Sequence, residues 1–141
     1  MNKEFVTHFF SACNKHQKSE ILSFYHEKYK GESIAQSMGI NGVQLISIVI
    51  DRALASFPDL CFTLTDTICE ADKVVAVWFL EGTQMGKIMN IPPTKRKIKI
   101  KGTTVFELED GKILKSDTLF DLAAMLRQMG LLPEVQLTQV A

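Results

Sequence analysis

The 141-residue sequence has no excess of charge of either sign, because 16 lysine and arginine residues balance 16 aspartate and glutamate residues. This balance gives no overall field that would attract nucleic acid or an anionic membrane. The longest uninterrupted apolar run, at 74–80, is far shorter than the roughly 20 residues that a membrane-spanning helix needs. The composition therefore predicts neither a nucleic-acid partner nor a membrane partner.

Cysteine is scarce: Cys13, Cys61 and Cys69 are an odd number and show no CxxC spacing. Such a set predicts reduced thiols, mostly buried as small apolar side chains, and no metal site. The N-terminus lacks the basic start and continuous apolar core of a signal peptide. Together these absences predict a cytoplasmic protein.

What is present is an ordinary globular composition, with 46% hydrophobic and 23% charged residues. The length suits one domain over residues 1–141, with a core large enough to be stable without disulfides or a structural metal. No internal repeat or low-complexity linker divides the chain.

Apolar spacing predicts three helices in the first half. Residues 2–15 place Phe5 and Phe9 on one helix face, and Ser19 is a candidate N-cap for a short second helix with Tyr25 and His26 at its end. The stretch 41–57 is rich in β-branched residues, but its apolar positions recur at helical spacing. We therefore predict the main helix there, ended by proline.

From Leu60 onward, alternation with a period of two predicts four consecutive strands. The clearest is 97–108, which has Gly102 and Thr104 on its apolar face. A turn at 109–111 leads to a last strand that is predicted to carry Leu114, Ser116, Thr118 and Phe120 on one face. Asp117 falls on the other face unless a β-bulge turns it inward.

The chain then closes with a helix that Asp121 can cap and that Gly130 can end. The order of elements predicts an α+β fold: a cone-shaped barrel in which a curved antiparallel sheet wraps round helices. A pocket would lie between the sheet and the helices.

An ordered set of short motifs in residues 40–130 resembles the SnoaL-like polyketide cyclases, also called ester cyclases, of the nuclear transport factor 2-like superfamily. The motifs are Phe57-Pro58-Asp59-Leu60, Gly82-Thr83, Gly86, Ile91-Pro92-Pro93-Thr94, Asp110-Gly111-Lys112-Ile113 and Asp121. The resemblance implies a cone-shaped α+β barrel, a homodimer that packs sheet to sheet, and a cofactor-free intramolecular aldol condensation. It therefore implies that no cofactor is required.

The family's acid/base pair, a His-X-Asp on the last strand, aligns with Ser116 and Thr118 in this sequence. Its neighbouring polar positions align with Gly102 and Thr104, and the histidine common after Gly-Thr aligns with Gln84. A hydroxyl at neutral pH donates or accepts a hydrogen bond but is not a useful base. The pocket face thus keeps the shape of the family and lacks its titratable groups.

Two functions follow as hypotheses. The first is a diverged cyclase- or isomerase-type enzyme that acts without a cofactor on a small, mostly apolar, oxygenated metabolite of polyketide or terpenoid type. The second is a non-catalytic module of the same fold that binds a small hydrophobic molecule or only dimerises. Candidate catalytic residues are His26, Asp117 and Asp121, and candidate ligand-binding residues are Tyr25, Trp78, Gln84, Gly102, Thr104, Ser116 and Thr118.

Overall fold

A computed structural model of the chain describes residues 2–30 and 42–133. These residues form four helices and five strands in an α+β arrangement. In chain order they are α1 (Asn2–Asn14), α2 (Lys18–Leu22), β1 (Tyr25–Lys30), α3 (Gly42–Ser56), β2 (Cys61–Glu70), β3 (Lys73–Thr83), β4 (Lys97–Glu109), β5 (Lys112–Phe120) and α4 (Leu122–Gln128). Among the described residues, no helix is both long and apolar enough to cross a bilayer.

The five strands form one curved, open sheet in the order β1-β5-β4-β3-β2. Strand β1 runs parallel to β5, and the other neighbours are antiparallel. Helices α1 and α3 cover the inner face, where Phe9 and Phe10 of α1 meet Phe106 of β4 edge to face. The main core therefore lies between the helices and the inner face of the sheet.

Several local predictions are confirmed. Residues 42–56 are helical in spite of their β-branched content, and the buried Ile50 lies on the predicted apolar face. The Asp121 carboxylate accepts a hydrogen bond of 2.9 Å from the Ala124 amide, so it caps α4. Gly130 follows the end of α4 with a φ of +81°, which is the left-handed conformation of a C′ residue.

The β4–β5 connection is a two-residue hairpin in which Asp110 and Gly111 both have positive φ, as a type I′ turn requires. Along β4, every second residue from Ile98 to Leu108 is buried, as the alternation predicts. This strand forms the floor of the pocket described below.

The prediction for the second helix was wrong. Helix α2 begins at Lys18, its N-cap is Gln17, and no side chain caps it, so Ser19 does not do so. Tyr25 and His26 lie in β1 rather than at the end of a helix. The physical reason is pairing with a distant strand, because the Ile113 amide donates to the Phe24 carbonyl at 2.9 Å and so starts the parallel β1–β5 ladder. The polar stretch 27–42 predicts one short strand and a loop, and its residues 31–41 lie outside the described residues.

The face predicted for Leu114 was also wrong. Glu107 pairs with Lys115 while Leu108 pairs with Ile113, so Leu114 is the extra residue of a β-bulge. Ile113 is fully buried on the inner side as a result, and Leu114 leaves the face of Ser116.

Candidate active site

A cavity of about 270 Å³ lies between α1, α3 and the inner face of the sheet. Its wall is largely apolar. The main contributors are Phe9 and Phe10 of α1, Ile46 and Ile50 of α3, and Phe62, Trp78 and Phe106 of the sheet. The volume is slightly below the range of about 300–1,000 Å³ that is usual for small-molecule sites. A cavity of this kind suits a small, mostly apolar molecule.

The polar part of the wall is a row of hydroxyl groups on β4 and β5, formed by Thr104, Ser116 and Thr118. Thr104 and Thr118 are paired across the two strands, and their Oγ1 atoms lie 3.0 Å apart. The Trp78 indole donates to Thr104 Oγ1 at 3.0 Å, and Ser116 Oγ lies 2.7 Å from the hydroxyl of Tyr29. Ser116 and Thr118 point inward because the bulge at Leu114 precedes Ser116 and the register is regular from there to Phe120. Thr104 points inward through the regular alternation of β4.

Gly102 makes room for the Trp78 ring. The two residues are paired across β3 and β4, and a Cβ atom at Gly102 would overlap the six-membered ring of the indole. The φ of Gly102 is not positive, so the requirement for glycine here is steric and not conformational. Gly102 therefore shapes the cavity through Trp78.

Two titratable groups in the wall are both weak acids. Burial raises the pKa of the Cys13 thiol to about 12. Burial, with smaller contributions from Tyr29 and Cys13, also raises the pKa of Tyr25 above its ordinary value. Both groups are protonated at neutral pH and can donate hydrogen bonds. Among the described residues, no carboxylate or imidazole lines this cavity.

The sequence profile of the SnoaL-like polyketide cyclase family matches residues 4–129. The chain belongs to this family. No functionally curated protein matches its sequence.

Several solved structures share the fold. TsrD from Streptomyces laurentii has a TM-score of 0.81 at 27% identity, covering 92% of this chain and 95% of its own. IdmH from Streptomyces antibioticus, a candidate polyketide cyclase, has a TM-score of 0.74 at 21% identity over 91% of this chain and 97% of its own. A candidate SnoaL-like polyketide cyclase from a Jannaschia species has a TM-score of 0.78 at 20% identity, covering 94% of this chain and 93% of its own. Family membership supports a cyclase-type role.

In this SnoaL-like chain, the structure brings Tyr25, Trp78, Thr104, Ser116 and Thr118 together in the cavity wall. Gly102 lies behind Trp78. Tyr29, which bonds to Ser116, was not among the predicted site residues. Tyr25 and Tyr29 are four residues apart and so share a face in a strand, but this signal applies only once the segment is assigned as a strand.

Asp117 lies on the outer face of the sheet. It is exposed and pairs with Val105 at a point where the register is regular, so the one bulge in β5 does not turn it inward. Asp121 is occupied as the cap of α4. The catalytic roles predicted for these two carboxylates remain predictions, and in this arrangement neither side chain lines the cavity.

His26 faces a separate, open groove beside the β4–β5 hairpin. Its Nδ1 atom accepts a hydrogen bond of 3.0 Å from the Lys28 amide, and its Nε2 atom lies 3.6 Å from Glu109 and 3.7 Å from Asp110. A neutral ring that accepts at Nδ1 carries its proton at Nε2, so it has no lone pair there for a metal ion. The contacts of His26 with Lys28, Glu109 and Asp110 therefore fix the tautomer of the ring and do not form a cation site.

Gln84 lies away from the cavity and is fully buried. Its Oε1 atom accepts from the amide and the hydroxyl of Thr94, at 3.0 and 2.6 Å. Its Nε2 atom faces the carbonyls of Gly86, Ile91 and Pro92 at 3.2–3.4 Å. In this structure the side chain closes the 84–96 loop, and the ligand contact predicted for it remains untested.

Proposed function

We propose that the cavity binds a small, mostly apolar, oxygenated molecule of polyketide or terpenoid type and promotes a cofactor-free cyclisation or isomerisation of it. The observation that supports this proposal is the row of hydroxyls, Thr104, Ser116 and Thr118, set in an otherwise apolar wall. An apolar wall favours burial of the ligand skeleton, and a few convergent polar groups fix its orientation.

The wall suits one kind of catalytic assistance. Donors that point at an oxygen on which negative charge develops stabilise the transition state of an aldol-type ring closure. Holding the two reacting ends of a flexible chain close together adds a proximity effect. Among the described residues, no carboxylate or imidazole lines the cavity, so we propose that the substrate itself carries an easily enolised proton and enters as its enol. As the new C–C bond forms, the enol O–H proton moves to the new alkoxide, and a hydroxyl of this row stabilises the oxyanion that develops.

A non-catalytic binding module is the second candidate. The observation that favours it is the same absence of a carboxylate or imidazole from the described cavity wall. Both candidates require ligand binding, and only the first requires turnover.

Turnover can be measured with nonane-2,4,8-trione, a β-diketone that carries a remote ketone and closes to 2-acetyl-3-hydroxy-3-methylcyclohexanone by forming the C3–C8 bond while one C3 proton moves to the new alkoxide. We expect the protein to accelerate this closure, and Thr104→Val with Thr118→Val to reduce the acceleration about 10- to 100-fold. Thr103→Val is the matched control, because Thr103 is the neighbouring residue of β4 that faces away from the cavity. It should leave the rate unchanged.

The variants Asp117→Asn, Asp121→Asn and His26→Ala should also keep the rate. If one of them abolishes closure while the diketone still raises the melting temperature, that residue is the base and the hydroxyl mechanism fails. If the diketone raises the melting temperature but no closure exceeds the background rate, the binding-module function is supported.

We also propose that the protein is a homodimer that packs through the outer face of the sheet. Ile68, Val75 and Val105 form a row across β2, β3 and β4, and Ile68 and Val105 are 56% and 39% exposed. Leu119 on β5 is 79% exposed beside them. A cytoplasmic location is part of the same proposal, and the free thiols of Cys13, Cys61 and Cys69 fit it.

Light scattering tests this assembly. We expect the mass of a dimer for the unmodified protein and that of a monomer for Val75→Lys, because Val75 lies in the centre of the apolar row, between Ile68 and Val105, and a lysine there would be buried with no acidic residue directly opposite it. Ile48→Lys is the control, since Ile48 is exposed on α3, away from the sheet face. A monomeric unmodified protein, or a Val75→Lys dimer, would contradict the proposed interface.

A further inference from the structure

The hydroxyl row begins at a group that can only donate. The indole N–H of Trp78 has no acceptor capacity, and it donates to Thr104 Oγ1 at 3.0 Å within the buried wall. Thr104 must therefore accept at this contact. Its own hydroxyl proton has to go to another acceptor.

Thr118 is that acceptor. Thr104 is only 6% exposed, and among the described residues its second hydroxyl contact is Thr118 Oγ1 at 3.0 Å. If Thr118 donated instead, the Thr104 proton would be buried without an acceptor, which is unfavourable. The direction of the chain is thus from Trp78 to Thr104 to Thr118.

Thr118 is the open end of this chain. It lines the cavity and is the exposed member of the pair, so its proton can reach a ligand. A hydroxyl that accepts one hydrogen bond becomes a better donor for the next, since the bonds polarise one another. A ligand oxygen that only accepts satisfies this proton, whereas an apolar ligand displaces water from it without replacing the hydrogen bond.

We propose that Trp78, Thr104 and Thr118 form a one-way hydrogen-bond relay that presents the Thr118 hydroxyl as a donor, so that the cavity selects apolar ligands with a ketone or lactone carbonyl. Trp78 is then a positioning residue that acts through Thr104. This inference rests on the proposed function, because it assigns the ligand class of the same cavity.

The test compares two probes that differ by one oxygen, 1-tetralone and tetralin, on the full chain. Trp78 is the one tryptophan in the sequence, so its indole N–H gives a single nuclear magnetic resonance signal. We expect 1-tetralone, and not tetralin, to shift this signal downfield. In Thr118→Val the ratio of the 1-tetralone to the tetralin affinity should fall about tenfold, in line with one lost hydrogen bond. In Thr118→Ser it should be retained.

Trp78→Phe keeps an aromatic ring but removes the donor, and we expect the same ratio to fall about threefold. Because the ratio compares the two probes in one variant, a change in the cavity wall that affects both probes equally cancels. If both probes bind the unmodified protein but the ratio is the same in Thr118→Val, the relay is overturned and the binding cavity stands. If the ratio falls in Thr118→Val but not in Trp78→Phe, the role of Trp78 is overturned. If neither probe binds the unmodified protein, the proposed function fails and the relay fails with it.

Discussion

Replacing Gln84 with leucine is expected to lower the free energy of unfolding by about 3 kcal/mol, because several buried polar groups lose their partners at once. The Thr94 amide loses its acceptor, and the Gly86, Ile91 and Pro92 carbonyls lose a shared donor. The side chain is 0% exposed, so water has no ready access to these groups. Urea denaturation followed by Trp78 fluorescence measures the change.

Gln128→Leu is the matched control for this prediction. Gln128 also bonds to backbone with both ends of its amide, accepting from the Lys99 amide at 2.6 Å and donating to the Lys99 carbonyl at 2.9 Å. It is exposed, however, so water replaces its bonds and the loss should stay below about 1 kcal/mol. Equal losses in the two variants would show that the burial of Gln84 does not set the stability of the 84–96 loop.

Gly102→Ala is expected to destabilise the protein by about 2 kcal/mol and to abolish binding of 1-tetralone. The added methyl group would overlap the Trp78 ring, which then has to move into the cavity that it lines. The indole emission should shift as well, because the ring leaves its contact with Phe62 at a centroid distance of 5.2 Å.

Gly111→Ala serves as the control for Gly102→Ala. Gly111 has a φ of +73° and open space around its Cα, so alanine costs about 1 kcal/mol through backbone strain alone. This hairpin residue does not line the cavity, and 1-tetralone should bind as before. Retained binding in Gly102→Ala would refute the steric role assigned to Gly102.

Local patterns were sufficient for much of the fold. For residues 42–56, the apolar spacing predicted a helix and the β-branched content favoured a strand, and the segment is a helix. The spacing is the better guide because burying one face of a helix stabilises it more than propensity does. The alternation in β4 placed Gly102 and Thr104 on the inner face, where the cavity lies. The hairpin at Asp110 and Gly111 and the cap at Asp121 are short-range features, so local sequence patterns are enough to predict them.

Long-range pairing is what the sequence did not reveal. Tyr25 and His26 follow a short helix, and only their pairing with β5, far along the chain, makes them part of a strand. The bulge at Leu114 has no glycine or proline to mark it. The Gln84 side chain bonds to carbonyls that only the folded 84–96 loop brings together. Its position in the sequence therefore could not show whether it packs in the loop or contacts a ligand.

The pKa values of the cavity wall have a consequence for any acidic ligand. Because Cys13 has a pKa of about 12 and that of Tyr25 is raised, the wall gains and loses no protons across the physiological range. For a weakly acidic guest such as a β-diketone, the apolar wall disfavours the anion and the Thr118 hydroxyl favours it, so the apparent pKa of the guest shifts on binding in the direction of the larger effect. A guest held as the neutral acid above its solution pKa would draw a proton from the buffer, and a guest held as the anion below that pKa would release one. The number of protons taken up or released on binding is thus determined by the guest alone. Measuring that number shows the ionisation state in which the guest is bound.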